Sequence, residues 1–228
     1  MARLIENLDV ERIRANVARV REEIDAAAQR SAHARRAGQP RPVELLAAIK
    51  YIRNEDLPLL AEAGIELVGE NRAQELQVKH AAHGELFEWD FIGQLQSRRV
   101  REIVPCVRLI HSVASESALR AIERYLPQAR AGLRILIEVN IAGEHEKAGV
   151  APEQLGEFIE RSPVPVAGLM TMPPLADDPE QSRPWFARLR ELADEHRLEH
   201  LSMGTSQDYV VAVEEGASIV RIGTRLYD

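Results

Sequence analysis

A chain of 228 residues suffices for one large domain or two small ones, and its formal charge of −7 argues against a general nucleic-acid or membrane-surface binder. A single cysteine, Cys106, excludes an internal disulfide framework and fits a reducing compartment, where a buried inert thiol is its expected state. No apolar run approaches the length of a membrane span, and the start, Met1-Ala-Arg-Leu-Ile-Glu-Asn7, lacks the apolar centre of a signal peptide, so a cytoplasmic location is expected.

The first element is a helix. Val10, Ile13, Val17, Val20, Ile24 and Ala28 recur at three- and four-residue steps, with arginines and glutamates between them, so one stripe packs on something. Residues 31–42 are small, basic and broken by Gly and Pro, and read as a loop. From Val43 onward short apolar runs alternate with helical patterns. Strands are expected at 43–50, 66–71, 89–93, 108–113, 133–140, 164–172, 199–204 and 218–224. Helices are expected at 54–63, 72–82, 97–104, 116–126, 152–161, 180–196 and 208–215. Strict alternation means a parallel sheet, and eight units without a reversal favour a closed α/β barrel, the single-domain (β/α)8 TIM barrel, over an open sheet. The chain ends four residues past the eighth strand, which leaves no room for an eighth outer helix. The N-terminal amphipathic helix, within residues 1–31, is available to cover that gap, so 1–228 reads as one domain.

In such a barrel the functional face lies at the carboxyl ends of the strands. The first strand, Val43-Glu-Leu-Leu-Ala-Ala-Ile-Lys50, ends on a lysine. Of 29 lysines and arginines only Lys50, Lys79 and Lys147 are lysine, so a lysine at a strand end is a candidate for what arginine cannot do, which is to lose a proton and act as a nucleophilic amine. The bland reading is a lysine that snorkels from the strand end. The other ends carry Glu70-Asn-Arg72, Gly93-Gln-Leu-Gln96, His111-Ser112, Asn140, Met170-Thr-Met172, Ser202-Met-Gly-Thr-Ser206 and Arg221-Ile-Gly-Thr224. Asn71 and Ser97 could serve only as helix N-caps. Gly204-Thr-Ser206 and Gly223-Thr224, on the last two strand ends, are where barrels of this kind often bind phosphate through amides and hydroxyls. Arg221 lies two residues before Gly223 and faces the same way, toward the barrel mouth. Its structural alternative is an ion pair with a barrel carboxylate. Lys147, in Glu144-His-Glu-Lys147 after the fifth strand, is kept as a second cationic contact. His80 and His83 read as a surface pair, and no metal site is expected. Hydrolase elbow, Walker loop and His-Glu-x-x-His motifs are absent from the sequence.

One amine, one phosphate cradle and one buried arginine describe a pocket for pyridoxal 5′-phosphate, with Lys50 as the Schiff-base lysine and Arg221 facing the pyridine nitrogen. At this point the chain resembles the pyridoxal phosphate homeostasis proteins, the YggS or PROSC family. The resemblance rests on Leu46-Ala-Ala-Ile-Lys50, Gly69-Glu-Asn-Arg72, Phe91-Ile-Gly-Gln-Leu-Gln-Ser97, Ile110-His-Ser-Val113, Val139-Asn140, Glu146-Lys-Ala-Gly149, Gly168-Leu-Met-Thr-Met-Pro-Pro174, Leu201-Ser-Met-Gly-Thr-Ser-Gln-Asp208 and Val220-Arg-Ile-Gly-Thr224. It implies a barrel like the N-terminal domain of alanine racemase. It matches Lys50 to the family's Schiff-base lysine, and Asn71, Ser206, Arg221, Gly223 and Thr224 to its cofactor contacts, with Met203 and Gly204 in the same motif. It also implies a monomer that serves intracellular vitamin B6 balance without robust catalysis, with apo-enzymes that depend on the cofactor as recipients. Where the family usually has Thr and His, this chain has Tyr51 and Asp90. The competing reading is a small cofactor-dependent amino-acid racemase or lyase. Related racemases take a second acid/base from a separate β domain, which is not encoded after the eighth strand here. A third reading, a sugar-phosphate barrel enzyme with Lys50 as Schiff-base former, needs no cofactor.

Overall fold

Runs of four to six mostly apolar residues, each too short for a stable helix, form the strands. In the computed structural model, which describes residues 4–31, 42–144 and 147–228, these are β1 Glu44–Ala48, β2 Leu67–Glu70, β3 Glu88–Phe91, β4 Leu109–Val113, β5 Arg134–Glu138, β6 Val166–Met170, β7 His200–Thr205 and β8 Ile219–Ile222. All pair in parallel in sequence order, and β1 pairs with β8 (Leu45 opposite Val220, Leu46 opposite Arg221), so the sheet closes into a barrel. The expected strand–helix alternation is therefore the observed architecture. The helices are α1 Val10–Gln29, α2 Leu57–Glu62, α3 Ala73–His83, α4 Val100–Ile103, α5 Glu116–Tyr125, α6 Leu155–Glu160, α7 Arg183–Glu195, α8 Tyr209–Glu214 and α9 Thr224–Tyr227. Several are preceded by a 3-10 turn, so the expected helices at 54–63, 97–104 and 152–161 begin with a tighter turn. Most of the loop expected at 31–42 lies outside the described residues.

Two apolar clusters divide the interior. The larger lies between strands and helices. The smaller takes Leu46, Leu67, Leu109, Leu136, Met170 and Ile219, one residue from each of six strands, and fills the barrel. These six strands send residues to both clusters, as the pleat allows, whereas β3 and β7 place the buried polar Asp90 and Ser202 between their outer-core residues.

Helix α1 packs over the barrel beside β8, which is followed by the four-residue α9. Asp9 caps it, its carboxylate accepting from the Arg12 amide at 2.8 Å. Ile13, Val17, Val20, Ile24 and Ala28 are buried against α8, α9 and α2. Burial of each of the larger side chains contributes roughly 1.5–3 kcal/mol before entropy is counted. Asn16 Nδ2 donates to the carbonyls of Leu226 and Asp228, which ties α1 to the last turn of the chain. Among the described residues, no helix is long and apolar enough to cross a membrane.

Candidate functional site at the carboxyl rim

The strand ends meet at one mouth. The ladder of β1 stops at Ala48. The Ile49 amide still donates to Gly69, and the chain then turns, the Ile52 amide closing on the Ile49 carbonyl. Lys50 is thus the first turn residue past the strand, partly buried, with Nζ 4.6 Å from the centre of the Tyr51 ring. The aromatic at 51 forms a wall beside the amine.

Across the mouth, β7 ends in a glycine turn. Gly204 has φ +91°, and a Cβ there would stand 2.6 Å from the Ala212 Cβ, so only glycine fits. The turn is pinned by Asp208, whose Oδ1 accepts from the Thr205 amide at 2.7 Å and from its hydroxyl at 3.1 Å. This presents Ser206, whose Oγ accepts from the Gly223 amide at 3.1 Å and joins the ends of β7 and β8.

These groups share one cavity of about 270 Å³. Its walls include Lys50, Tyr51, Asn71, Ser206, Arg221, Gly223, Thr224 and Tyr227, with Ala48, Ile92 and Met172 as apolar surface. Among the described residues two cations and no carboxylate line it, which favours an anionic guest. Lys50, Asn71, Ser206, Arg221, Gly223 and Thr224 are therefore brought together as the sequence led us to expect. Met203 is fully buried in the outer core, because alternation along β7 turns it away from the side that Ser202 faces. Gly204 and Lys147 line a neighbouring cavity of about 360 Å³ that shares Met172, Thr205, Gln207 and Arg221 with the first. Lys147 is paired with Glu144 at 2.6 Å. Positions 145 and 146 of that charged run lie outside the described residues.

The capping alternatives find no support. Asn71 does not cap α3, whose start carries no side-chain cap; the adjacent Glu70 instead fixes the turn before the helix, its Oε1 accepting from the Asn71 and Arg72 amides at 2.6 and 3.1 Å. Asn71 Oδ1 is buried without a partner in the cavity wall. Ser97 makes no side-chain capping bond. Gly93 explains how Asn71 is held close: a Cβ at Gly93 would lie 1.9 Å from the Asn71 carbonyl oxygen. Arg221 is 7% exposed and no carboxylate pairs with it among the described residues. Nη1 donates to the Ser202 carbonyl and hydroxyl at 2.8 and 2.6 Å, and Nη2 to the Thr171 carbonyl at 3.1 Å. Burial lowers its pKa to about 10, with Asp208 and Glu138 opposing from a distance.

Two groups of residues escaped the sequence reading. Lys79, on α3, is 2% exposed and reaches under the rim: its Nζ donates to Glu70 Oε2 at 2.7 Å and to the Ile49 carbonyl at 2.9 Å. The signal was its spacing, since Ala73, Leu76 and Lys79 fall on one helix face. The second group runs down the barrel axis. Arg108 pairs with Glu44 and Asp90, Asp90 meets His111, and His111 meets Ser202. Asp90 accordingly faces the support of Arg221 and lies away from Lys50, next to which only Tyr51 of the two unusual positions stands.

The profile of the alanine racemase N-terminal domain family matches residues 8–228. A pyridoxal phosphate homeostasis protein of Aquifex aeolicus is 40% identical over 222 residues, spanning 92% of this chain and 95% of its own. The chain belongs to the pyridoxal phosphate homeostasis protein family. A further member, from Pseudomonas aeruginosa, is 35% identical over 219 residues, with 93% of each chain covered. Among solved structures, PipY of Synechococcus elongatus with PLP bound superposes with a TM-score of 0.72 at 30% identity, covering 89% of this homeostasis-family chain and all of its own. Alanine racemase of Corynebacterium glutamicum shares the fold alone, with a TM-score of 0.64 at 18% identity over 63% of its length.

Proposed function

We propose that this chain binds pyridoxal 5′-phosphate as a Schiff base on Lys50 and serves intracellular vitamin B6 balance without robust catalysis. The observation that carries the reading is the single cavity that joins a lysine amine, the Ser206–Gly223–Thr224 cradle and a buried arginine, with no carboxylate among the described residues of its walls. The residues fit the cofactor. The cradle suits a phosphate. Arg221 offers donors to a ring nitrogen, and the unpartnered Asn71 oxygen offers an acceptor. PipY, named above with PLP bound, supports the same ligand here. Met203 and Gly204 would act from behind the cradle, as its support. Lys147 would stay with Glu144 in the neighbouring cavity.

When bound, the cofactor supplies an aldehyde that exchanges imines with amines and a ring that withdraws electrons. The chain supplies little else for turnover. Among the described residues, no histidine or carboxylate lines the Lys50 cavity. The Tyr227 phenol donates to the Ala48 carbonyl, and burial pushes its pKa far up, so it is no base at neutral pH. Among the described residues, the Lys50 cavity offers no second partner for two-sided proton transfer. Recipients would be apo-enzymes that use the same cofactor, served by a cytoplasmic monomer.

Spectral titration of the purified protein should give a saturable visible band that Lys50→Ala abolishes, while L-alanine and other amino acids yield little D-isomer or product. Formation of D-alanine at the rate of a true racemase would overturn the non-catalytic half of the proposal. An unchanged band in Lys50→Ala would overturn the covalent half.

A further inference from the structure

The polar chain inside the barrel has a direction. Arg108 sits at the amino-terminal end of β4, with Nη1 and Nη2 donating to the two Glu44 oxygens at 2.8 and 2.6 Å, and Nε and Nη2 donating to the two Asp90 oxygens at 2.9 and 3.1 Å. Asp90 is fully buried, and both its oxygens are used as acceptors. His111, also fully buried, places Nε2 at 3.1 Å from Asp90 Oδ2, so Nε2 carries the proton. Burial lowers the His111 pKa and Arg221 and Arg108 add to this, while Asp90 opposes it; the ring is neutral and Nδ1 holds a lone pair. Ser202 Oγ lies 2.8 Å from that Nδ1 and must donate its hydroxyl proton to it. The Oγ lone pairs then face Arg221, whose Nη1 donates to them at 2.6 Å.

We infer that His111 is a positioning residue for the cofactor: through Ser202 it fixes the Arg221 guanidinium in one orientation, as a donor only, at the cofactor cavity. The inference rests on the reading of Arg221 given under the proposed function. Without an acceptor at position 111, the Ser202 hydroxyl is free to turn its proton toward Arg221. The guanidinium would then be held by two backbone carbonyls alone. Asp90, one of the positions where this chain departs from its relatives' usual residue, sets the His111 tautomer and so the sense of the whole chain. Nothing in this chain of bonds touches Lys50.

The first measurement needs no cofactor. Long-range ¹⁵N–¹H spectra of the apo-protein should show His111 as the Nε2–H tautomer; an Nδ1–H tautomer would overturn the inference. The second compares cofactor dissociation constants for wild type, His111→Phe, His111→Gln and Ser202→Ala. Loss of the support should weaken binding roughly tenfold in His111→Phe and Ser202→Ala. His111→Gln, which keeps one donor and one acceptor, should restore most of it. Ser202→Ala combined with His111→Phe should be no worse than either alone. Unchanged affinity in Ser202→Ala, or additive losses in the pair, would contradict the proposal even where His111→Phe fails to fold. A wild-type protein that binds no pyridoxal phosphate would refute the cofactor reading instead, and the apo-protein tautomer would still decide this one.

Discussion

Lys79→Met removes the cation from a carboxylate that is 0% exposed. Glu70 keeps its bonds to the Asn71 and Arg72 amides, but Oε2 loses its 2.7 Å partner and the Ile49 carbonyl loses its 2.9 Å donor. Breaking a buried pair on one side costs about 3–5 kcal/mol, because the remaining charge is stranded. For a chain of this length that is about 10 °C in Tm, and a large part of a total stability on the order of 5–15 kcal/mol. The loss should be smaller when the charge goes from both sides. Glu70→Gln still offers an oxygen to the two amides, so the double variant should recover about 2 kcal/mol relative to the sum of the singles. The same contacts hold the turn that carries Lys50 and the strand end that carries Asn71, so cofactor affinity should fall as well. Urea denaturation of the four apo-proteins measures the cycle. A Lys79→Met variant within about 1 kcal/mol of wild type, or singles that simply add, would refute the claim that this pair braces the rim.

Other outcomes follow from the same geometry. Ser206→Ala removes a cavity-lining hydroxyl and the link to the Gly223 amide; if that hydroxyl holds the cofactor phosphate as proposed, a loss of about 1.5 kcal/mol, roughly tenfold in the cofactor dissociation constant, is expected by fluorescence titration with no large change in melting temperature. Gly93→Ala sets a methyl against the Asn71 carbonyl, so both urea midpoint and cofactor affinity should drop, and a neutral effect would contradict the close approach of β2 and β3. His80, His111 and His200 all have pKa values below the ordinary one, with burial the leading cause in each. Unfolded histidines gain protons near pH 6.5, before the folded ones do. The unfolded chain therefore binds more protons there and stability falls as pH drops below about 6.5. Glu138, pushed up by burial, acts in the opposite sense as one group against three. Urea midpoints at pH 7.5 and 5.5 check the sign, and a higher midpoint at the lower pH contradicts it.

Much of this was legible in the sequence because a parallel barrel converts chain order into position. Once eight strand ends are found, Lys50, Ser206, Arg221 and Gly223 must face one mouth, whatever the details of packing. The packing role of α1 was legible from its apolar stripe. What stayed hidden depends on register across the barrel. His111 and Ser202 lie on strands that are not neighbours, and only the closed cross-section brings them to 2.8 Å. Asp90 shows in the sequence only as a departure from the family's usual histidine, whereas the pleat of β3 points it at His111 and Arg108. Lys79 sits among Gln77, Val78 and His80 on a helix of weak amphipathicity, where a lysine is ordinarily solvated. Its burial depends on Glu70, nine residues earlier, facing the same gap between strand and helix. Met203 was named because it lies between Ser202 and Gly204 in a motif, yet a strand sends adjacent residues to opposite faces.

The claim that the barrel exists to hold a cofactor on one particular lysine is tested most directly by covalent capture. The protein loaded with pyridoxal 5′-phosphate is reduced with borohydride, digested and analysed by peptide mass spectrometry. A phosphopyridoxyl mass on the peptide containing Lys50, with Lys79 and Lys147 unmodified, is the expected result. Modification centred on Lys147, or none at all, would contradict the account.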